Sequence, residues 1–77
     1  MTPQQQAIQI ARAAVAAQDT WAQRAVYEAH QEGDDWLVTA SRIEGYDANG
    51  KPRFVTGGAR LIRINQKGQV VYYLRGL

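Results

Sequence analysis

The side chains able to do chemistry are few, and their spacing limits what each could do. His30 is the only histidine, Ser41 the only serine, and there is no cysteine. A serine nucleophile with an imidazole base would have to combine these two. Ser41 falls in the strand-like run Thr39-Ala40-Ser41-Arg42, not in the glycine-flanked turn of a nucleophile elbow. Asp34-Asp35 is an adjacent carboxylate pair. Neighbours in a turn point apart into water, whereas acid–base work needs a desolvated cleft that shifts a carboxyl pKa. Glu44, Asp47 and Asn49 lack calcium-loop spacing, and one histidine without cysteine cannot assemble a structural zinc set. Gly57-Gly58 lacks the lysine and hydroxyl of a phosphate-binding loop and reads as a bend. The inventory predicts no enzyme, no cofactor and no metal.

Binding chemistry is better supplied. Arginine outnumbers lysine seven to two, and Trp21, Trp36 and four tyrosines accompany it. Arginine, tryptophan and tyrosine are the types that dominate protein interfaces. Arg60, Arg63, Tyr72 and Tyr73 are the candidate partner-binding residues. Trp36 reads as a core anchor, and Trp21, at the end of a helical segment, is open to either role. Arg53, Phe54, Arg60, Arg63, Tyr72, Tyr73 and Arg75 also mix cations with rings, as platforms for single-stranded nucleic acid do. A net charge of only +2, scarce lysine and no RNA-recognition or KH signature count against nucleic acid.

The charge is unevenly spread. Residues 1–31 sum to zero, residues 32–52 to −3 and residues 53–77 to +5. Such polarity can steer an oppositely charged partner, or it can be neutralised between neighbouring strands of one sheet. At 45% apolar and 21% charged, the 77 residues describe a single folded domain over 1–77. A chain of this size buries only roughly 60% of its unfolded surface, so its core is thin. The apolar run Ala13–Ala17 is too short for a secretory leader or a membrane span. No membrane association and a cytoplasmic location are expected, although an excised leader would leave no trace.

The elements that must position these groups follow from composition. No glycine precedes Gly33 and six alanines lie between Ala7 and Ala17, so helix formers lead and turn formers follow. Thr2, Pro3 and Gln5 supply a capping box and a first-turn proline. Ile8, Ala11 and Val15, joined by Ala7 and Ala14, form the apolar stripe of a helix that ends near Asp19-Thr20. Ala25 to Gln31 suits a strand or a helical extension. A turn at Glu32–Asp35 and the alternating Trp36–Ile43 favour a hairpin. Residues 44–52 read as a loop around Asn49-Gly50, with pairing resuming after Pro52. Gly57-Gly58 reads as a bulge in a long strand, Asn65–Gly68 as a turn, and Gln69–Leu74 as the last strand.

The predicted fold is α+β, one N-terminal helix on a curved antiparallel sheet of about four strands in α-β-β-β-β order. The strands are apolar on both faces, whereas one helix can cover only one. The uncovered face predicts a protein partner or a second copy in a homodimer.

Three stretches carry a family likeness: the helix with Ala7-Ile8 and Ala11-Arg12, then Gly33-Asp34-Asp35-Trp36-Leu37-Val38, then Gly57-Gly58-Ala59-Arg60-Leu61-Ile62-Arg63-Ile64 with Gly68-Gln69-Val70-Val71. Together they resemble small bacterial cystatin-like and nuclear-transport-factor-like domains, nearest the immunity proteins of that fold. PepSY-type inhibitory modules are looser relatives. The resemblance covers most of residues 7–76 and implies a helix wrapped by a curved sheet and non-catalytic binding to a toxin or enzyme. This chain has one helix where the fuller fold has several. The resemblance therefore carries over neither the enclosed pocket of larger members nor any binding residue.

Overall fold

Local chemistry sets each element of the structure, a computed structural model that describes residues 2–75. Helix α1 spans Pro3–Gln18 and opens on the predicted capping box. Thr2 Oγ1 accepts the Gln5 N–H at 3.1 Å and Gln5 Oε1 accepts the Thr2 N–H at 3.0 Å, which satisfies two otherwise orphaned donors. Asp19 ends the helix in extended conformation, its N–H donating to the Val15 carbonyl at 2.7 Å.

Four strands follow: β1 (Ala25–Glu32), β2 (Asp35–Tyr46), β3 (Pro52–Ile64) and β4 (Val70–Arg75). They form one antiparallel sheet in the order β1-β2-β3-β4, as the α-β-β-β-β reading expects. Residues 25–31 are strand, because the tight turn at Gly33-Asp34 pairs them with β2 from Glu32↔Asp35 to Ala25↔Arg42. Residues 44–46 and Pro52, expected in a loop, continue the ladder instead, with Tyr46 opposite Pro52. The loop shrinks to five residues because Asp47 Oδ1 accepts the N–H groups of Asn49 (2.8 Å) and Lys51 (3.0 Å). Asn65 closes the β3–β4 turn in the same way, through Lys67 at 3.0 Å and Gln69 at 2.9 Å. A short side-chain acceptor that bonds the backbone two and four residues on holds the turn without outside help.

The glycine pair bends β3. Ser41 pairs with Ala59 and Ile43 with Phe54, so residues 55–58 stand opposite Arg42 alone. Gly57 has a φ of +74°, and a Cβ on Gly58 would lie 3.0 Å from the Val55 Cβ and 3.1 Å from the Arg42 Cβ. Glycine is needed twice, once for conformation and once for space. Beyond this bulge the β2–β3 ribbon projects, and Tyr46 and Phe54 stand exposed at 64% and 49%.

The helix lies on one face of the sheet, chiefly over β1 and β2. Ala7, Ala11 and Val15 meet Trp21, Ala22, Val38, Ala40, Ile62 and Ile64 in the core. The small alanines let the helix axis come close to the strands. Ile8, expected in the stripe, lies on a flank beside Gln5, Gln9 and Arg12. Ile10 packs on the core instead, since the β3–β4 turn reaches it: a Cβ on Gly68 would sit 3.5 Å from Ile10 Cδ1. The two tryptophans divide unexpectedly. Trp21 is the buried one at 6% exposed, while Trp36 is half-buried at the rim of the core. Among the described residues the largest fully buried side chains are Ile62, Ile64, Val15 and Val38, each contributing about 2 kcal/mol by its burial. No helix among the described residues is long and apolar enough to cross a membrane.

Candidate functional site

Strand alternation assigns each candidate to a face. Residues paired directly across antiparallel strands share a face. Val38, Ile62 and Tyr73 form one cross-strand row and Ala40, Arg60 and Arg75 the next, both on the helix side. The intervening rows point the other way: Glu28-Thr39-Leu61-Leu74 and His30-Leu37-Arg63-Tyr72. The four expected partner-binding residues therefore separate into two pairs. Arg63 and Tyr72 share the open face, whereas Arg60 and Tyr73 lie on the helix side, because their parity along β3 and β4 matches that of Ile62. They do not form one surface.

On the helix side, Arg60 and Tyr73 converge on Asp19. Asp19 Oδ2 accepts the Tyr73 hydroxyl at 2.7 Å and the Arg60 Nε–H at 3.2 Å, while Oδ1 accepts from Arg60 Nη2 at 3.3 Å. Arg75 Nη1 stands 3.9 Å from Oδ1, and Arg75 Nη2 donates to Gln18 Oε1 at 2.9 Å. The Arg60 and Asp19 side chains are only 12% and 13% exposed. The Arg60 guanidinium also lies 5.2 Å above the Trp21 ring centroid, within cation–π range. The Tyr73 hydrogen bond and the arginines hold the Asp19 carboxyl below its ordinary pKa, against the opposing effect of desolvation. Burial, aided by the Asp19 charge, pushes the Tyr73 phenol up to about 12. The Asp19, Arg60 and Tyr73 groups are turned toward one another, with Arg75 and Gln18 at the exposed rim, so the cluster clasps the helix end to β3 and β4. Cations placed at a helix C-terminus also complement its dipole.

The open face carries apolar groups from all four strands: Val26, Leu37, Leu61, Tyr72 and Leu74. No element of the described chain lies over it. Its central cation is already spent. Arg63 Nε donates to Asp35 Oδ2 at 2.7 Å, and Nη1 donates to Glu32 Oε1 at 3.3 Å. Asp35, Tyr72 and Glu32 together raise the guanidinium pKa further. The acidic turn and the basic strand neutralise each other here, as side-by-side strands allow.

The fold does not bring Ser41 and His30 together. Ser41 pairs with Val26, four residues before His30 on β1, which separates the two side chains by about 13 Å along the strands. Asp34 is exposed in the turn while Asp35 is held by Arg63. Asp47 Oδ1 is committed to its own loop. No group of three or more potential metal ligands occurs among the described residues. A groove of about 930 Å³ runs between the helix flank at Gln6, Gln9 and Ile10 and the floor at Trp36 and Ile64. Nothing local in the sequence signals it, since its walls come from the helix and from the β3–β4 turn, which meet only in the folded chain. No protein-family model matches the chain, and no curated protein or solved structure matches it.

Proposed function

We propose that this chain is a non-catalytic protein-binding domain of inhibitor or immunity type, working in the cytoplasm and holding its partner on the open sheet face. The observation that carries the reading is that face itself. Leu37, Leu61, Tyr72 and Leu74 lie together across β2, β3 and β4 with nothing of the described chain over them. An apolar patch with an aromatic residue and a paired charge at its centre matches the make-up of an interface core. Arg60 and Arg63 spend their charge on Asp19, Asp35 and Glu32, which leaves phosphate little to bind and favours an apolar protein surface. The likeness to cystatin-like immunity proteins points the same way.

The test is affinity capture on the immobilised protein, followed by calorimetry with the purified captured partner. Leu61→Asp and Tyr72→Ala should each weaken a one-to-one complex at least about tenfold, as loss of a buried contact does. Tyr46→Ala, on the projecting ribbon, should leave it unchanged. Failure to capture a stoichiometric partner, or indifference to both open-face substitutions, would sink the proposal.

A further inference from the structure

The two edges of the sheet are treated differently. Beside edge strand β1, Gln4 Nε2 donates to the Ala29 carbonyl at 3.2 Å. That strand also carries Glu28 and Glu32, charges of the kind that discourage strand addition. Along Tyr72–Leu74 edge strand β4 has neither protection, and before that stretch its ladder to β3 is interrupted by a bulge at Val71, which has no partner on β3. Among the described residues no side chain is hydrogen-bonded to its backbone. Its first five residues, Val70-Val71-Tyr72-Tyr73-Leu74, are uncharged and of high strand propensity. Val70, Val71 and Leu74 stand 42%, 54% and 45% exposed. The one charge on β4 does not guard the edge. Arg75 is drawn back over the Tyr73 ring, 5.6 Å from its centroid, and bonded to Gln18 at the helix end.

We propose that β4 is a self-pairing edge: two copies of this chain join β4 to β4 antiparallel and form one eight-stranded sheet. An exposed strand edge is a row of unpaired N–H and C=O groups, and its natural complement is another strand. A second copy meets no charge conflict along this edge. In an antiparallel register centred on Tyr72 or Tyr73, the neutral stretch of one β4 lies along the neutral stretch of the other. The two Arg75 residues then sit at opposite ends, roughly 13–20 Å apart along the strands. That exceeds the about 8 Å over which physiological salt leaves charges unscreened. The contact is isologous, so it closes at two copies and leaves only the two guarded β1 edges outside. Both open faces then lie on one side of a continuous sheet. The inference does not rest on the partner reading above, because edge residue Val71 lies outside the open-face rows.

Sedimentation equilibrium from about 5 to about 500 μM tests the pairing, since a homodimer's population follows protomer concentration. The expected result is a mass rising from one copy to two and no further. Val71→Lys should raise the dissociation constant at least tenfold while leaving the monomer's melting temperature unchanged. Amide exchange of the wild type supplies a second readout that needs no variant: β4 amides should slow as concentration rises and β1 amides should not. A monomer throughout the range overturns the proposal, as does growth beyond two copies. Dimers that resist Val71→Lys but dissociate on Leu61→Lys would overturn it too, and would mean that the open faces pair instead.

Discussion

Removal of Asp19 would test the helix-end clasp most directly. Asp19→Ala deletes a carboxylate that accepts hydrogen bonds from Tyr73 and twice from Arg60, and leaves the Arg60 guanidinium 12% exposed with no acid beside it. Stripping the partner from a buried ion pair costs about 3–5 kcal/mol. Arg60 keeps bonds to the Gly57 and Ala59 carbonyls and its place over Trp21, so about 2–3 kcal/mol is the reasoned loss. Against a total stability of roughly 4–12 kcal/mol for a chain of this length, that is a large fraction. It corresponds to a fall in melting temperature of the order of 10–20 °C. Urea and thermal unfolding can be followed by tryptophan fluorescence, because Trp21 lies in the cluster. The folded-state pKa of Asp19 is depressed below its unfolded value of 3.8. Its contribution is therefore fully present above that value and lost as pH falls through the lower folded pKa. Wild type and variant should consequently converge in stability under strong acid. A loss below about 0.5 kcal/mol at neutral pH would refute the clasp, since that is the range of an ordinary surface change.

Tyr73 has a folded pKa of about 12 against 10.0 in the unfolded chain, so its contribution is complete below pH 10 and declines as pH rises through 12. Tyr73→Phe should remove the latest-titrating phenol from a 295 nm absorbance titration and flatten that alkaline decline. Asp35→Ala should cost no more than about 1 kcal/mol in urea titration, because the Arg63 pair is partly exposed. Gly58→Ala should lose about 1–3 kcal/mol, as overpacking does, from the 3.0 Å approach to Val55. Ile62→Ala, which empties a fully buried site under the helix, should cost about 2–5 kcal/mol and bring the chain near its unfolding threshold at ambient temperature.

Features closed within a few residues were the ones legible in the sequence. The capping box at Thr2 and Gln5 and the turns around Asn49-Gly50 and Asn65–Gly68 each rest on contacts within about four positions. Residue type and spacing suffice for those. Period-two alternation likewise separated each strand into two faces. It did not decide which face of β3 and β4 meets the helix, because both faces are apolar, and so Arg60 and Arg63 read alike. Only the tertiary structure resolved that, by docking Ala7, Ala11 and Val15 against the Val38 and Ile62 parity. The same docking buried Trp21 rather than Trp36 and brought Asp19 to Arg60 and Tyr73, 41 and 54 residues away. Contacts across such separations depend on strand order and register, which no local pattern of residues specifies. The helix thereby committed one arginine–tyrosine pair to the fold and left the other, Arg63 and Tyr72, on the surface that a partner can reach.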